Sequence, residues 1–228
     1  MFGGSNSNGN IRGYINLNVN EQPCVETGAT QCLLKFKEVY GAGNEAAYNG
    51  EGINFNLGCV SELGEIYGGA KAADLNKDAV LTITSGHFKK VFGGNNVSGK
   101  LNGKIVVNID ETGCNPVVID ELYGGGNLAA YSVYGYNDDG SVKESGTRLH
   151  EHPQVNIITI GTVFGGGNAA KVVGGTIVNI GTVATAKHVS GSDKTTEYNA
   201  GANIVGNVYG GGNQADVTGK TNVTVGRQ

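Results

Sequence analysis

Residues 163–181 read VFGGGNAAKVVGGTIVNIG, and residues 208–226 read VYGGGNQADVTGKTNVTVG. The two stretches are equal in length and share one plan. An aromatic residue precedes a run of glycines and an asparagine, and the chain then enters a segment in which apolar and polar residues alternate. Working outward, the aromatic-glycine signature begins at Phe2, Tyr40, Tyr67, Phe92, Tyr123, Phe164 and Tyr209. An alternating segment follows each one: Ile15/Leu17/Val19, Ile53/Phe55/Leu57, Leu81/Ile83, Ile105/Val107/Ile109, Ile158/Ile160, Val178/Ile180 and Val223/Val225. Alternation of period two marks strands with one buried and one wet face.

Another extended run precedes most signatures, as in PVVIDELYGG (116–125). A third lies between signature and alternating strand, as in AKVVGG (170–175) and ADVTGK (215–220). The unit is therefore three short strands joined by turns of Gly, Asn and small residues. The alanines of GNEAAYNGEG (43–52) and GAKAADLNKD (69–78) sit in the turn and middle-strand part, without helical periodicity. Successive signatures are spaced 38, 27, 25, 31, 41 and 45 residues apart. The shortest units suit one coil of a parallel β-helix and are too short for a four-stranded propeller blade of about 40–45 residues. The predicted fold is all-β: one single-stranded, right-handed parallel β-helix (solenoid) over 1–228, with about seven coils and insertions at the corners.

In such a fold equivalent residues stack about 4.8 Å apart. The aromatic residues of the signature then form a ring column through the core. The glycines are expected at corners, some with positive φ, so that Gly166→Val or Gly211→Val should destabilise. Asn6, Asn44, Asn96, Asn127, Asn168 and Asn213 close the signatures. They are expected to tolerate left-handed backbone and to bond amide to amide between coils, with Lys71 breaking the column. Ala46, Ala72, Ala129, Ala169 and Ala215 are the small residues expected to let the corner pack closely. The insertions 20–35, 58–64, 110–117 and 182–203 should share one edge, and 131–153 should project elsewhere.

The motifs YGGGN (123–127 and 209–213) and FGGGN (164–168), each linked to its alternating strand, resemble the glycine-rich repeats of very large secreted or cell-surface proteins of gut Gram-negative bacteria. They are also similar to β-helical passenger regions of autotransporter adhesins. The resemblance implies an exported or surface scaffold and carries over no catalytic residue.

The chain holds 40 glycines and 3 prolines, with 16 basic and 20 acidic residues and a formal charge of −4. This mild, mixed charge excludes the clustered cations of a nucleic-acid surface. No apolar run approaches the roughly 18 residues of a membrane-spanning helix, and MFGGSNSNGN has neither the basic start nor the apolar stretch of a signal peptide. FGGSN at 2–6 is itself a signature and TNVTVGRQ ends a repeat, so the chain is expected to be a segment of a longer protein with neighbouring repeats.

Candidate chemistry is sparse. Calcium-binding solenoid repeats need Asp soon after the glycines, where Asn or Lys stands here. Phosphate binding needs a helix after the glycines and a Gly-Lys-Ser/Thr run, and neither occurs. RLHEHP (148–153) places His150 and His152 on one side of an extended segment around Glu151, but two ligands make no metal site. YNDDGS (136–141) reads as an acidic turn. Asp110, Glu111, Asp120 and Glu121 read as solvated carboxylates. No catalytic residue, metal ligand or cofactor is assigned. YSVYGY (131–136) supplies Tyr131, Tyr134 and Tyr136, either as rings for a sugar or protein partner or as cover for the insertion's own core. Of Cys24, Cys32, Cys59 and Cys114, the first two share one insertion and form the preferred disulfide; buried free thiols are the alternative. The expected role is a non-enzymatic structural or adhesive rod whose loops contact a glycan or host surface protein. The alternative is a carbohydrate-active β-helix enzyme, which would need paired carboxylates in a groove.

Overall fold

The computed structural model describes residues 1–21, 33–110, 114, 116–132, 154–157, 159–180, 187–189, 197–199, 203–204 and 206–225. Among them there is no helix, and the chain is all-β with strands paired in parallel. The exception is a two-stranded antiparallel pair, Lys187–Val189 with Glu197–Asn199.

Two large sheets hold the structure. The seven-stranded sheet consists of Ile15–Val19, Ile53–Leu57, Ala79–Ile83, Ile105–Ile109, Gln154–Ile157, Thr176–Ile180 and Thr221–Val225, neighbouring one another in chain order. The six-stranded sheet consists of Glu38–Tyr40, Glu62–Tyr67, Gly86–Phe92, Val117–Tyr123, Thr162–Phe164 and Val208–Tyr209, again in chain order. The chain thus alternates between the sheets, and each strand pairs with its equivalent in the repeats before and after. The third segment of the repeat is reduced to single bridges or two-residue strands. Tyr48 pairs with Leu75, Leu75 with Leu101, Tyr131–Ser132 with Val172–Val173, and Val172 with Val217.

The alternating residues decide which side is inside. Ile53, Phe55 and Leu57 are buried while Asn54 and Asn56 are not, and the pattern recurs at Leu81/Ile83 and Ile105/Val107/Ile109. These join Leu63, Ile66, Phe88, Val91, Ile119 and Leu122 of the six-stranded sheet in one apolar cluster. A register slip of one residue would turn every inward side chain out, so in-register pairing is strongly specified.

The structure corrects four expectations. In the fifth repeat the strand in the large sheet is Gln154–Ile157, with Val155 opposite Val107 and Val178. Ile158/Ile160 was the wrong phase: Thr159–Ile160 pairs instead with Asn203–Ile204. The run QVNIITI contains two overlapping alternations, and only the recurring Val-Asn-Ile of 107–109, 155–157 and 178–180 separates them. Residues 58–64 are not an insertion, because Glu62–Tyr67 is a strand and the turn before it is short. The buried corner alanines are Ala46, Ala73, Ala129 and Ala170, whereas Ala72 is only partly covered and Ala169 is exposed.

The fourth correction concerns the glycines. Among the described residues positive φ occurs at Gly9, Gly52, Gly86, Gly99 and Gly174, none of them in a signature, and at no non-glycine residue. Most signature glycines are required by contact between repeats. A Cβ on Gly41 would lie 2.3 Å from the Gly68 carbonyl oxygen, and one on Gly93 would lie 2.4 Å from that of Gly124. The signature asparagines likewise owe nothing to left-handed backbone.

Candidate functional site

Along the six-stranded sheet the signature aromatics form a continuous column. Phe2, Tyr40, Tyr67, Phe92, Tyr123, Phe164 and Tyr209 stack ring on ring, with centroids 4.8–4.9 Å apart and planes within 8°. The five inner rings are buried. Three of the tyrosines, Tyr40, Tyr67 and Tyr123, each place the hydroxyl against a carboxylate two residues upstream, while Tyr209 has Asn207 at that place. Tyr40 donates to Glu38 (3.0 Å), Tyr67 to Glu65 (2.7 Å) and Tyr123 to Glu121 (2.9 Å). The two-residue offset puts both side chains on adjoining positions of one strand, so EVY, EIY and ELY form a recurring local unit. Where the ring is Phe the carboxylate is gone: Lys90 precedes Phe92 and Thr162 precedes Phe164. Lys90 instead pairs with Glu121 in the next repeat at 2.9 Å. Glu121 is therefore not simply solvated, and Asp120 faces His87 at 3.1 Å.

Burial, reinforced by the adjacent carboxylate, raises the Tyr67 and Tyr123 phenols above the usual range. Burial also raises Tyr40, to about 12, although the Asn96 amide donates to its oxygen at 2.7 Å. A neutral phenol that donates to a carboxylate resists ionisation, so these hydroxyls hold their protons as donors to the glutamates.

Beside the rings runs an amide column. Asn44 donates to Asn6, Asn127 to Asn96, Asn168 to Asn127 and Asn213 to Asn168, at 2.9–3.0 Å, with Lys71 interrupting between Asn44 and Asn96. Asn95 stands where other signatures have glycine, and its buried amide bonds the Ala70 N–H and the Ala73 carbonyl.

Tyr131, expected as an exposed contact residue, is buried at 2 % exposure. Its hydroxyl donates to the Gly103 carbonyl at 2.9 Å, and its backbone pairs with Val172. Tyr48 behaves in the same way, donating to the carbonyls of Gly13 and Gly52. Each tyrosine fills the core and anchors the turn before an alternating strand, and burial raises the Tyr131 phenol. Tyr131 is thus removed from any surface site. Tyr134, Tyr136, the His150–His152 run and the Cys24–Cys32 pairing lie outside the described residues.

Cys59 and Cys114 form a disulfide, with Cα atoms 5.4 Å apart and 55 residues of sequence between them. They follow strands that are not neighbours, since Ala79–Ile83 lies between Ile53–Leu57 and Ile105–Ile109. Two strand spacings amount to roughly 10 Å. The two loops therefore lean together across the short turn at Thr84–Ser85, and the Ser85 hydroxyl lies 3.7 Å from the Cys114 sulfur. No spacing rule in the sequence singles out this pair.

Lys37, Glu62, Glu65 and Lys89 line a groove of about 560 Å³ together with Leu34, Phe36 and Leu63. A lining of apolar side chains with amines and carboxylates can accept part of a peptide or an amphiphile. Among the described residues no group of three His, Cys, Asp or Glu side chains could hold a metal ion. No described helix is long and apolar enough to cross a membrane. The chain matches no protein family, no curated protein and no solved structure.

Proposed function

We propose that the chain winds as a right-handed parallel β-helix of about seven coils and serves as a non-enzymatic, stiff rod within an exported or cell-surface bacterial protein, carrying insertions that contact a glycan or a host surface protein. The observation that supports this most directly is the aromatic column, in which every repeat contributes one ring at one register. Chain-order parallel pairing in both large sheets is the pattern that successive coils produce, and parallel crossovers of this kind are right-handed as a rule. Function on such a scaffold belongs to what it displays, because loops on rigid elements carry most binding. With Tyr131 in the core, Tyr134 and Tyr136 are the aromatic residues of 132–150 left to that role.

Small-angle scattering should show an elongated particle, and far-UV circular dichroism should be dominated by β-structure. On a glycan and host-protein array, deleting 132–150 should abolish binding and leave melting temperature and spectrum intact. A compact particle, or a ligand bound equally by the deletion, would overturn the corresponding half of the proposal.

A further inference from the structure

The two large sheets present outward faces of opposite character. The six-stranded sheet exposes Glu62, Lys89, Lys90 and Asp120 among others. On the seven-stranded sheet no Asp, Glu, Lys, Arg or His occupies any outward position of its strands. Outward positions are where charges normally sit, and 16 % of this chain is charged. One outward row instead runs Asn18, Asn56, Thr82, Asn108, Asn179 and Thr224, with Asn156 in register between Asn108 and Asn179. None of the six is buried. The adjoining row begins with Asn16 and Asn54 and continues with Val80 and Val106.

In the first two strands of the sheet these amides bond to one another. Asn56 donates to Asn18 at 2.8 Å and Asn54 to Asn16 at 2.9 Å. An asparagine side chain offers two N–H donors and two acceptor lone pairs. Such a bond uses one donor of one residue and one lone pair of its neighbour, so hydrogen-bonding capacity remains on both amides of each of these pairs. The strands' own backbone groups are committed to the sheet. The result is a row of oriented, uncharged donors and acceptors about 4.8 Å apart, the inter-strand spacing.

We infer that this face binds an uncharged polysaccharide lying along the Asn/Thr row. Each hydroxyl of such a chain both donates and accepts, matching an amide that does the same. Neither side desolvates a charge, which is the costly step for a polar face. Asn16, Asn18, Asn54 and Asn56, already ordered by their mutual bonds, lose little freedom on contact. An anionic polymer finds no cation here, and an apolar partner meets amides and hydroxyls along the Asn/Thr row. The inference rests on the adhesive reading and moves the contact from the insertions to the sheet.

The test is retention of the whole chain on immobilised neutral β-glucan and neutral mannan, with a sulfated polysaccharide as the charged counterpart. Retention on at least one neutral polymer is expected, unchanged between about 0.1 and 1 M salt because no ion pairs form. The double variant Asn56→Asp/Asn108→Asp should lose at least tenfold in retention while keeping its β-spectrum. If that variant does not fold, Thr82→Lys serves the same purpose from the centre of the row. Failure on both neutral polymers, equal retention of the folded row variants, retention on the sulfated polymer alone, or a self-association that the row variants abolish would each overturn the inference. Loss of binding in the 132–150 deletion with the row variants unaffected sinks this site and leaves the loop reading standing. The reverse result sinks the loop reading.

Discussion

A methyl group added to a signature glycine has nowhere to go. The Cβ of an alanine at Gly93 would sit 2.4 Å from the Gly124 oxygen and 2.5 Å from the Ile105 side chain. The first of these is backbone and cannot swing aside. Gly93→Ala should therefore destabilise by about 1–3 kcal/mol or more, the range of overpacked cores. Gly211 stands one place further along its signature, where Gly94 and Gly166 stand in theirs, and nothing lies within 4 Å of its added Cβ. Gly211→Val should thus leave the denaturant midpoint nearly unchanged, against the sequence-based expectation that it destabilises. Gly166, whose Cβ would meet the Gly212 nitrogen at 2.8 Å, should follow Gly93. Equal midpoints for the Gly93 and Gly211 variants would refute the contact explanation. The glycine recurrence was legible in the sequence, but its cause was not. Close approach between residues some 30 positions apart leaves the same letter as a positive φ.

At the scale of the strand, the Glu-x-Tyr unit ties a ring to the solvent edge of the sheet. Tyr40, Tyr67, Tyr123 and Tyr131 all have phenols raised by burial above their ordinary value of about 10. In the unfolded chain these groups ionise near pH 10, while in the folded protein they hold their protons, Tyr40 up to about 12. Between those values the unfolded state binds fewer protons, so stability falls as pH rises. Below about pH 10 this contribution is fully present. A series of denaturant midpoints should be flat to about pH 10 and then decline, with a shallower decline in Tyr67→Phe, which removes one such group. An identical slope in that variant would exclude Tyr67 from the alkaline transition. The strand pattern itself could be read from the sequence wherever one alternation stood alone. It failed at QVNIITI, where two phases overlap and only pairing with Val107 and Val178 selects one.

Across the whole molecule, the Cys59–Cys114 bridge ties two repeats that are not neighbours. Closing a 55-residue loop stabilises by about 4 kcal/mol in the chain-entropy picture. Cys59→Ser/Cys114→Ser should lower the denaturant midpoint by an amount of that order without changing the far-UV spectrum. The double variant is the better test than reductant, because it leaves Cys24 and Cys32 as they are. An unchanged midpoint would refute the loop-closure estimate and mean that residual structure already restricts the unfolded chain between the two cysteines.

Composition and period were enough to determine the all-β class, the inward residues of most strands and the aromatic and amide columns. These depend on local alternation and on a motif that recurs, and both are written along the chain. The tertiary structure alone decided the fate of Tyr131, the partner of Cys59 and the uncharged outer face. Tyr131 follows a signature in a tyrosine-rich stretch and reads as surface until its hydroxyl is seen against Gly103. Cys59 meets Cys114 because two loops lean over a short intervening turn. The outer face exists only once seven strands far apart in sequence lie side by side. Each of these depends on distances between repeats, and the spacing of residues along one repeat carries no record of them.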